Sequence, residues 1–258
     1  MSRLTAVILD WAGTTVDYGS LAPVRTLQRL FAHRGMPLTE EEARRDMGIH
    51  KKDHIRALLT GLRGGRPDEA EVQNFFEDFI PMQMECLVAY SDVIPGVPAA
   101  VDRIRERGLK IGSTTGYTRP MLDLLLQSAA AQGYSPDSAL CPEDAGAGRP
   151  LPWMCYLSAI RLHTYPMYTM VKIGDTVSDV EEGLNAGMWT VGIARTGNMI
   201  GLTDEDFAAL SLSEQAARLV VARNGLHDAG AHFIIDSVAG CDSVLDQIED
   251  RLAKGQRP

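Results

Sequence analysis

The stretch Ala6-Val7-Ile8-Leu9-Asp10-Trp11-Ala12-Gly13-Thr14-Thr15-Val16-Asp17 decides how the rest of the chain is read. An apolar run ends at Asp10 and a Gly-Thr-Thr turn follows it. An unbroken apolar run of this length, closed by turn residues, is the mark of a strand buried on both faces in a parallel sheet. Asp10 then stands at the carboxyl edge of that strand, where open α/β sheets bind their ligands. A lone aspartate before Gly-Thr is also a common turn residue, so Asp10 acquires chemical meaning only from partners elsewhere in the chain.

Outward from this stretch the pattern changes twice. Residues 18–94 show helical spacing and no strand pattern. A helix is expected over 21–32. Thr39-x-x-Glu42 is a capping box opening a helix over 40–46. Met47-Gly48 breaks it, a second helix starts near Lys51, and a third long one runs from Pro67 or Asp68 to about residue 90. From Pro95 strands and helices alternate. Helix 97–107 ends at Gly108, strand 109–114 follows, and Pro120 sits in the first turn of the next helix. Then come strand 138–141, a loop over 142–150, helix 153–163, strand 168–173, helix 178–186, strand 189–194, helices within 204–228, strand 231–235 and helix 243–252. Such alternation predicts a mostly parallel sheet with right-handed crossovers. The fold class is therefore α/β: a Rossmann-like parallel-sheet core of residues 1–18 and 95–258, with a helical cap domain, 19–94, inserted after the first strand.

The chain has 258 residues and a formal net charge of −9. Its length suffices for a sizeable core. The acidic balance argues against nucleic acid or an anionic membrane as the main partner, and leaves a small anionic substrate open. No apolar run is long enough to span a bilayer. Cys86, Cys141, Cys155 and Cys241 show neither metal spacing nor a C-x-x-C pair, and fit small core residues in a reducing cytoplasm better than a disulfide framework. The first strand begins so near residue 1 that no signal peptide is expected.

Four strand ends present polar groups in chain order: Asp10, then Thr114-Thr115, then Arg149 in the loop after a strand, then Asp175 with Asp179. The series resembles the haloacid dehalogenase superfamily of phosphoryl-transfer enzymes. The resemblance implies that Asp10 attacks phosphorus, that Thr115, Gly116 and Arg149 hold phosphoryl oxygens, and that Mg²⁺ is held by Asp10, the Ala12 carbonyl and Asp175, with Asp179 ligating or standing behind. Positioning and charge neutralisation are what phosphoryl transfer needs, and a hard, oxygen-liganded cation supplies the charge. Phosphatases of this superfamily usually carry a second aspartate two residues after the nucleophile, to protonate an alkoxide leaving group. Here that position is Ala12, so a leaving group that needs no such proton is favoured.

The cap segment Met47-Gly48-Ile49-His50-Lys51-Lys52-Asp53-His54 is similar to that of the phosphonoacetaldehyde hydrolase (phosphonatase) family. So are residues 10–19, Gly112-Ser113-Thr114-Thr115-Gly116-Tyr117-Thr118-Arg119, Gly148-Arg149-Pro150 with Pro152-Trp153-Met154-Cys155-Tyr156, and Gly174-Asp175-Thr176-Val177-Ser178-Asp179. The resemblance implies hydrolysis of a small phosphonate aldehyde through a Schiff base on Lys51, with His54 as proton shuttle, and a homodimer assembled through the cap. Lys51 and His54 at i and i+3 share a helix face, and Lys52 points elsewhere. A surface lysine is the usual fate of a residue in a Lys-Lys pair; the family spacing outweighs that. Breaking a carbon–phosphorus bond leaves electrons on carbon, and a protonated imine accepts them as a neutral enamine. Nucleophilic attack requires an unprotonated Lys51 and hence a depressed pKa, with Arg44, Arg45 or Lys52 the expected cationic helpers.

Met47 is expected to line the substrate pocket, and Tyr117 is a candidate beside the phosphate loop. Asp17 is read as a structural turn residue, and the apolar face of 21–32 as either core or a dimer seam. Two other readings compete: a phosphate-ester phosphatase or phosphomutase on the same core, which leaves Lys51 unused, and a binding protein that keeps the fold without catalysis.

Overall fold

The computed structural model describes residues 3–258. Strand β1 (Ala6–Leu9) is wholly buried and leads into four successive helices, α1 (Leu21–His33), α2 (Glu40–Arg45), α3 (Lys51–Arg63) and α4 (Glu69–Ala89). The alternating part follows as α5 (Val97–Glu106), β2 (Lys110–Thr114), α6 (Arg119–Ala131), β3 (Ser138–Leu140), α7 (Pro142–Ala145), α8 (Trp153–Leu162), β4 (Met170–Gly174), α9 (Val177–Asn185), β5 (Trp189–Ile193), α10 (Asp204–Ala209), α11 (Leu212–Asp228), β6 (Phe233–Ile235) and α12 (Asp242–Ala253). Among the described residues one six-stranded sheet forms, entirely parallel, in the order β3-β2-β1-β4-β5-β6. The order reverses between β1 and β4, the point at which α/β sheets open a crevice for ligands.

Both faces of β1 are covered, which is why its sequence does not alternate. Val7 and Leu9 join the large core cluster, while Ala6 and Ile8 pack with Cys155, Ala159 and Leu162 of α8. Leu9 lies opposite Ser113 of β2 and Ile173 of β4, so Asp10, Thr114 and Gly174 finish level at the carboxyl edge.

Side chains close the starts of α1, α2 and α4. Asp17 adopts φ 53° and its carboxylate accepts from the Leu21 and Ala22 amides, each at 3.0 Å, which closes the start of α1. Thr39 and Glu42 form the expected capping box of α2. The inner face of α1 (Leu21, Val24, Leu27, Leu30, Phe31) is buried and packs on α4, with the Phe31 and Phe75 rings 5.0 Å apart. That face is therefore occupied within the chain, and the reading of it as a dimer seam is corrected. One further expectation changes: the loop at 142–150 begins with the helical turn α7, because Pro142 fits a first helical position and the Asp144 carboxylate accepts from the Cys141 amide at 2.9 Å.

Candidate active site

The Asp10 amide donates to the Ile173 carbonyl at 3.0 Å, so the strand pairing carries through to the aspartate. Beyond it the chain folds back sharply: the Thr15 and Val16 amides donate to the Trp11 carbonyl at 2.8 and 2.9 Å. Gly13 has φ +77°, and a Cβ there would lie 2.2 Å from Asp175 Oδ2, so only glycine lets this turn pass the β4 edge. Asp175 in turn is fixed by the Asn198 amide at 2.7 Å and the Thr14 hydroxyl at 3.3 Å. Asp179 sits in the first turn of α9, where the Thr176 hydroxyl donates to its carboxylate at 2.6 Å.

Asp10, Asp175 and Asp179 each bring a carboxylate oxygen within 4.8 Å of the others, and all three are buried. Burial and the Asp179 charge push the Asp10 carboxyl above its usual range, and burial with the Asp10 charge pushes Asp175 well above it. Burial also acts to raise Asp179, but Arg149 and Lys172 together overcome it and hold that group low. Three crowded carboxylates with oxygen donors only, two of them resisting ionisation where they stand, suit a hard divalent cation.

Arg149 is 5 % exposed and divides its guanidinium among three acids: Nη2 on Asp10 Oδ1 at 2.7 Å, Nη1 on Asp179 Oδ1 at 2.9 Å, and Nε on Glu182 Oε2 at 3.0 Å. Nη2 also donates to the Thr114 carbonyl at 2.7 Å. Thr115 and Gly116 follow β2, the Thr115 hydroxyl accepting from the Tyr117 amide at 3.2 Å. Gly116 meets the segment before α3 closely, since a Cβ on it would lie 2.5 Å from the Ile49 carbonyl oxygen.

Lys51, in the first turn of α3, is 3 % exposed. Its ammonium lies 3.4 Å from Met47 Sδ and 5.6 Å from the centre of the Tyr117 ring. Burial draws its pKa down from 10.5 to about 8, against the attraction of Asp10. The cation that assists is Arg149, and the expectation of Arg44, Arg45 or Lys52 is corrected. Arg44 instead donates to the Gly19 carbonyl at 3.0 Å and the Gly201 carbonyl at 3.1 Å, while Lys52 turns away to Gln73 at 2.6 Å.

A chamber of about 20 Å³ is lined by Asp10, Ala12, Met47, Lys51, Thr115, Gly116, Tyr117, Arg149 and Asp175, together with Pro23, Gly48 and Thr176. That volume suits about one water, so the chamber is narrow. A wider cleft of about 770 Å³ between α2 and α11 touches the chamber wall at Met47 and Thr176, yet holds none of the four strand-end groups. His54 is fully buried and does not line the chamber; its ring nitrogens have no hydrogen-bond partner, and burial and the Lys51 charge keep it neutral. Of the expected residues, Asp179 and His54 thus stand behind the chamber wall and the others line it. Sequence reasoning missed Pro23, Gly48 and Thr176, although the last two lie inside motifs it quoted. It also missed Lys172 and Glu182, whose only signal was a lysine inside the apolar run of β4.

A family model described as haloacid dehalogenase-like hydrolase matches residues 4–187, and the chain belongs to that class. A protein named phosphonoacetaldehyde hydrolase from Nitratidesulfovibrio vulgaris (strain Miyazaki F) is 46 % identical over 262 residues, covering 98 % of this chain and 94 % of the relative. Another of that name from Bacillus thuringiensis (strain Al Hakam) is 46 % identical over 256 residues, covering 96 % of this chain and 97 % of its own. The crystal structure of a phosphonoacetaldehyde hydrolase like protein from Oleispira antarctica superimposes with a TM-score of 0.95 at 39 % identity, over 99 % of this chain and 96 % of that one. Within its class the chain belongs to the phosphonoacetaldehyde hydrolase family.

Proposed function

We propose that the chain hydrolyses the carbon–phosphorus bond of phosphonoacetaldehyde to acetaldehyde and phosphate, by way of a Schiff base on Lys51 and a phosphoaspartyl group on Asp10. The observation that carries this reading is a buried lysine sharing one small chamber with a strand-end aspartate. The segment 19–94 acts as a cap that opens to admit substrate to the core of 1–18 and 95–258, and closes to exclude water. Lys51 attacks the aldehyde and water leaves, with His54 relaying protons from behind the lysine. Asp10 then attacks phosphorus in line, the carbon–phosphorus electrons pass into the iminium, and a neutral enamine departs. One water cleaves the acyl phosphate and a second releases acetaldehyde from Lys51.

Arg149, Thr115 and Gly116 hold the phosphonate oxygens, while Met47 and Tyr117 border the aldehyde end. Asp10, the Ala12 carbonyl and Asp175 would hold Mg²⁺, with Asp179 beside them, and the ion would neutralise phosphonate charge as it is transferred. The missing acid at Ala12 suits an enamine leaving group, and a phosphatase or phosphomutase would leave a buried Lys51 without a task. The free state of all four cysteines fits a reducing cytoplasm. Among the described residues no helix is long and apolar enough to cross a membrane. The chain forms a homodimer through the cap, on a surface other than the inner face of α1, which packs on α4.

Borohydride reduction in the presence of phosphonoacetaldehyde, followed by peptide mass spectrometry, tests the reading. A two-carbon adduct on Lys51 is the expected result. Turnover without any lysine adduct would overturn the imine route.

A further inference from the structure

We infer that Lys172 and Glu182, neither of which lines the chamber, are positioning residues that aim Arg149 at the nucleophile. The inference rests on the reading that Arg149 holds the phosphonate.

Lys172 is an anomaly of placement. It lies in the middle of β4, paired with Ile8 of β1 on one side and Thr190 of β5 on the other, and is 1 % exposed. An apolar residue would serve packing there better, because withdrawing an ammonium from water is costly unless every donor finds a partner. Lys172 donates one hydrogen bond, to Thr114 Oγ1 at 2.7 Å, and is flanked by two anions, with Asp179 Oδ1 at 2.9 Å and Glu182 Oε2 at 3.1 Å. Glu182 is buried on α9, and the helix reaches this depth because Gly183 follows it; a Cβ on Gly183 would lie 2.8 Å from Lys172 Cβ.

The two carboxylate oxygens that hold Lys172 are the same two that brace Arg149. Asp179 Oδ1 pairs as an ion with Nη1 at 2.9 Å and Glu182 Oε2 accepts a hydrogen bond from Nε, which leaves Nη2 directed at Asp10 Oδ1. Thr114 closes the ring: its hydroxyl donates to Glu182 Oε2 at 2.9 Å, and its carbonyl accepts Nη2. Three of the guanidinium's edges are thereby fixed before substrate arrives, as a rigid fork requires. Without Lys172 the two acids repel each other across Arg149 and compete for it alone, and the guanidinium is drawn from Asp10 toward α9. A neutral, shape-conserving loss of Glu182 frees Nε instead, and the plane is no longer set.

The test uses the full chain and two variants, Lys172→Met and Glu182→Gln. Inorganic phosphate, which shares the tetrahedral oxygens of the product, serves as the binding probe, and KM, kcat and borohydride trapping on Lys51 are measured beside it. Each folded variant should bind phosphate more weakly and raise KM by roughly 10–100-fold, the usual effect of losing the residue that orients a functional side chain. Trapping on Lys51 should persist, because the amine is untouched. A purely structural role lowers the folded fraction and the melting temperature but leaves phosphate affinity and KM of the folded enzyme as they were, and that result would overturn the inference. Glu182→Gln is nearly isosteric and keeps the test open should Lys172→Met fail to fold. Absence of turnover in the wild-type protein would instead count against the proposed function.

Discussion

Replacing Lys51 by methionine should abolish turnover and, at neutral pH, make the protein more stable. The side chain is buried, and burial lowers its pKa from an ordinary 10.5 to about 8. Between those two values the unfolded chain still binds the proton that the folded chain has released, so stability rises with pH across that window. Below about pH 8 both states carry the charge and the folded state bears the full penalty. At pH 7 that penalty is about 3 kcal/mol. Methionine is close to lysine in shape, needs no counter-charge and faces Met47 and the Tyr117 ring, so most of the penalty should return as stability. Urea unfolding followed by tryptophan fluorescence, on both proteins at pH 7 and near pH 10, reads the effect. The variant should lead by about 2–3 kcal/mol at pH 7 and by little at the higher pH. A variant that is no more stable at pH 7, or a lead that does not shrink with pH, would refute the argument. The same depression leaves about 300-fold more free amine at pH 7 than an exposed lysine offers, so kcat/KM of the wild type should climb to about pH 8 and then level off.

Gly116→Ala should place a methyl group against the Gly48 and Ile49 carbonyl oxygens, hold the cap loop away and lower kcat/KM by about 10²-fold; a melting temperature near wild type would show that the core itself is intact. Tyr117→Phe removes a buried hydroxyl that has no hydrogen-bond partner, so stability should rise by about 1 kcal/mol in thermal unfolding rather than fall. Mg²⁺ at about 100 times its dissociation constant should stabilise the fold by about 2.7 kcal/mol. Chelation should reverse that gain, because the three crowded carboxylates lose the partner that relieves their repulsion, and Asp175→Asn should remove it, because one of the three carboxylates that would hold the ion is gone.

The fold was legible where local rules and global packing agree. The run into Asp10, the capping box at Thr39 and Glu42, and Pro120 in the first turn of α6 all name their structures from neighbours along the chain. The turn at α7 was less so, because its cap depends on one carboxylate reaching back to Cys141. In the site, residues at strand ends could be named because parallel strands deliver their last residues to one edge.

Sequence determined which side chains meet: Asp10, Arg149 and Asp175 from the βα order, and Lys51 only through the resemblance of its cap segment to that of a known family. It could not determine their state, because protonation and aim depend on burial and on neighbours distant in the chain. Only the tertiary structure decided that Lys51 is buried, that burial lowers its pKa with help from Arg149 rather than from Arg44, Arg45 or Lys52, and that His54 lies behind the wall. Lys172 and Glu182 make the same point: along the chain one interrupts an apolar strand and the other belongs to an ordinary helix. Folding α9 onto β4 turns them into a buried pair, for a charge is tolerated inside a protein only where packing brings its counter-charge.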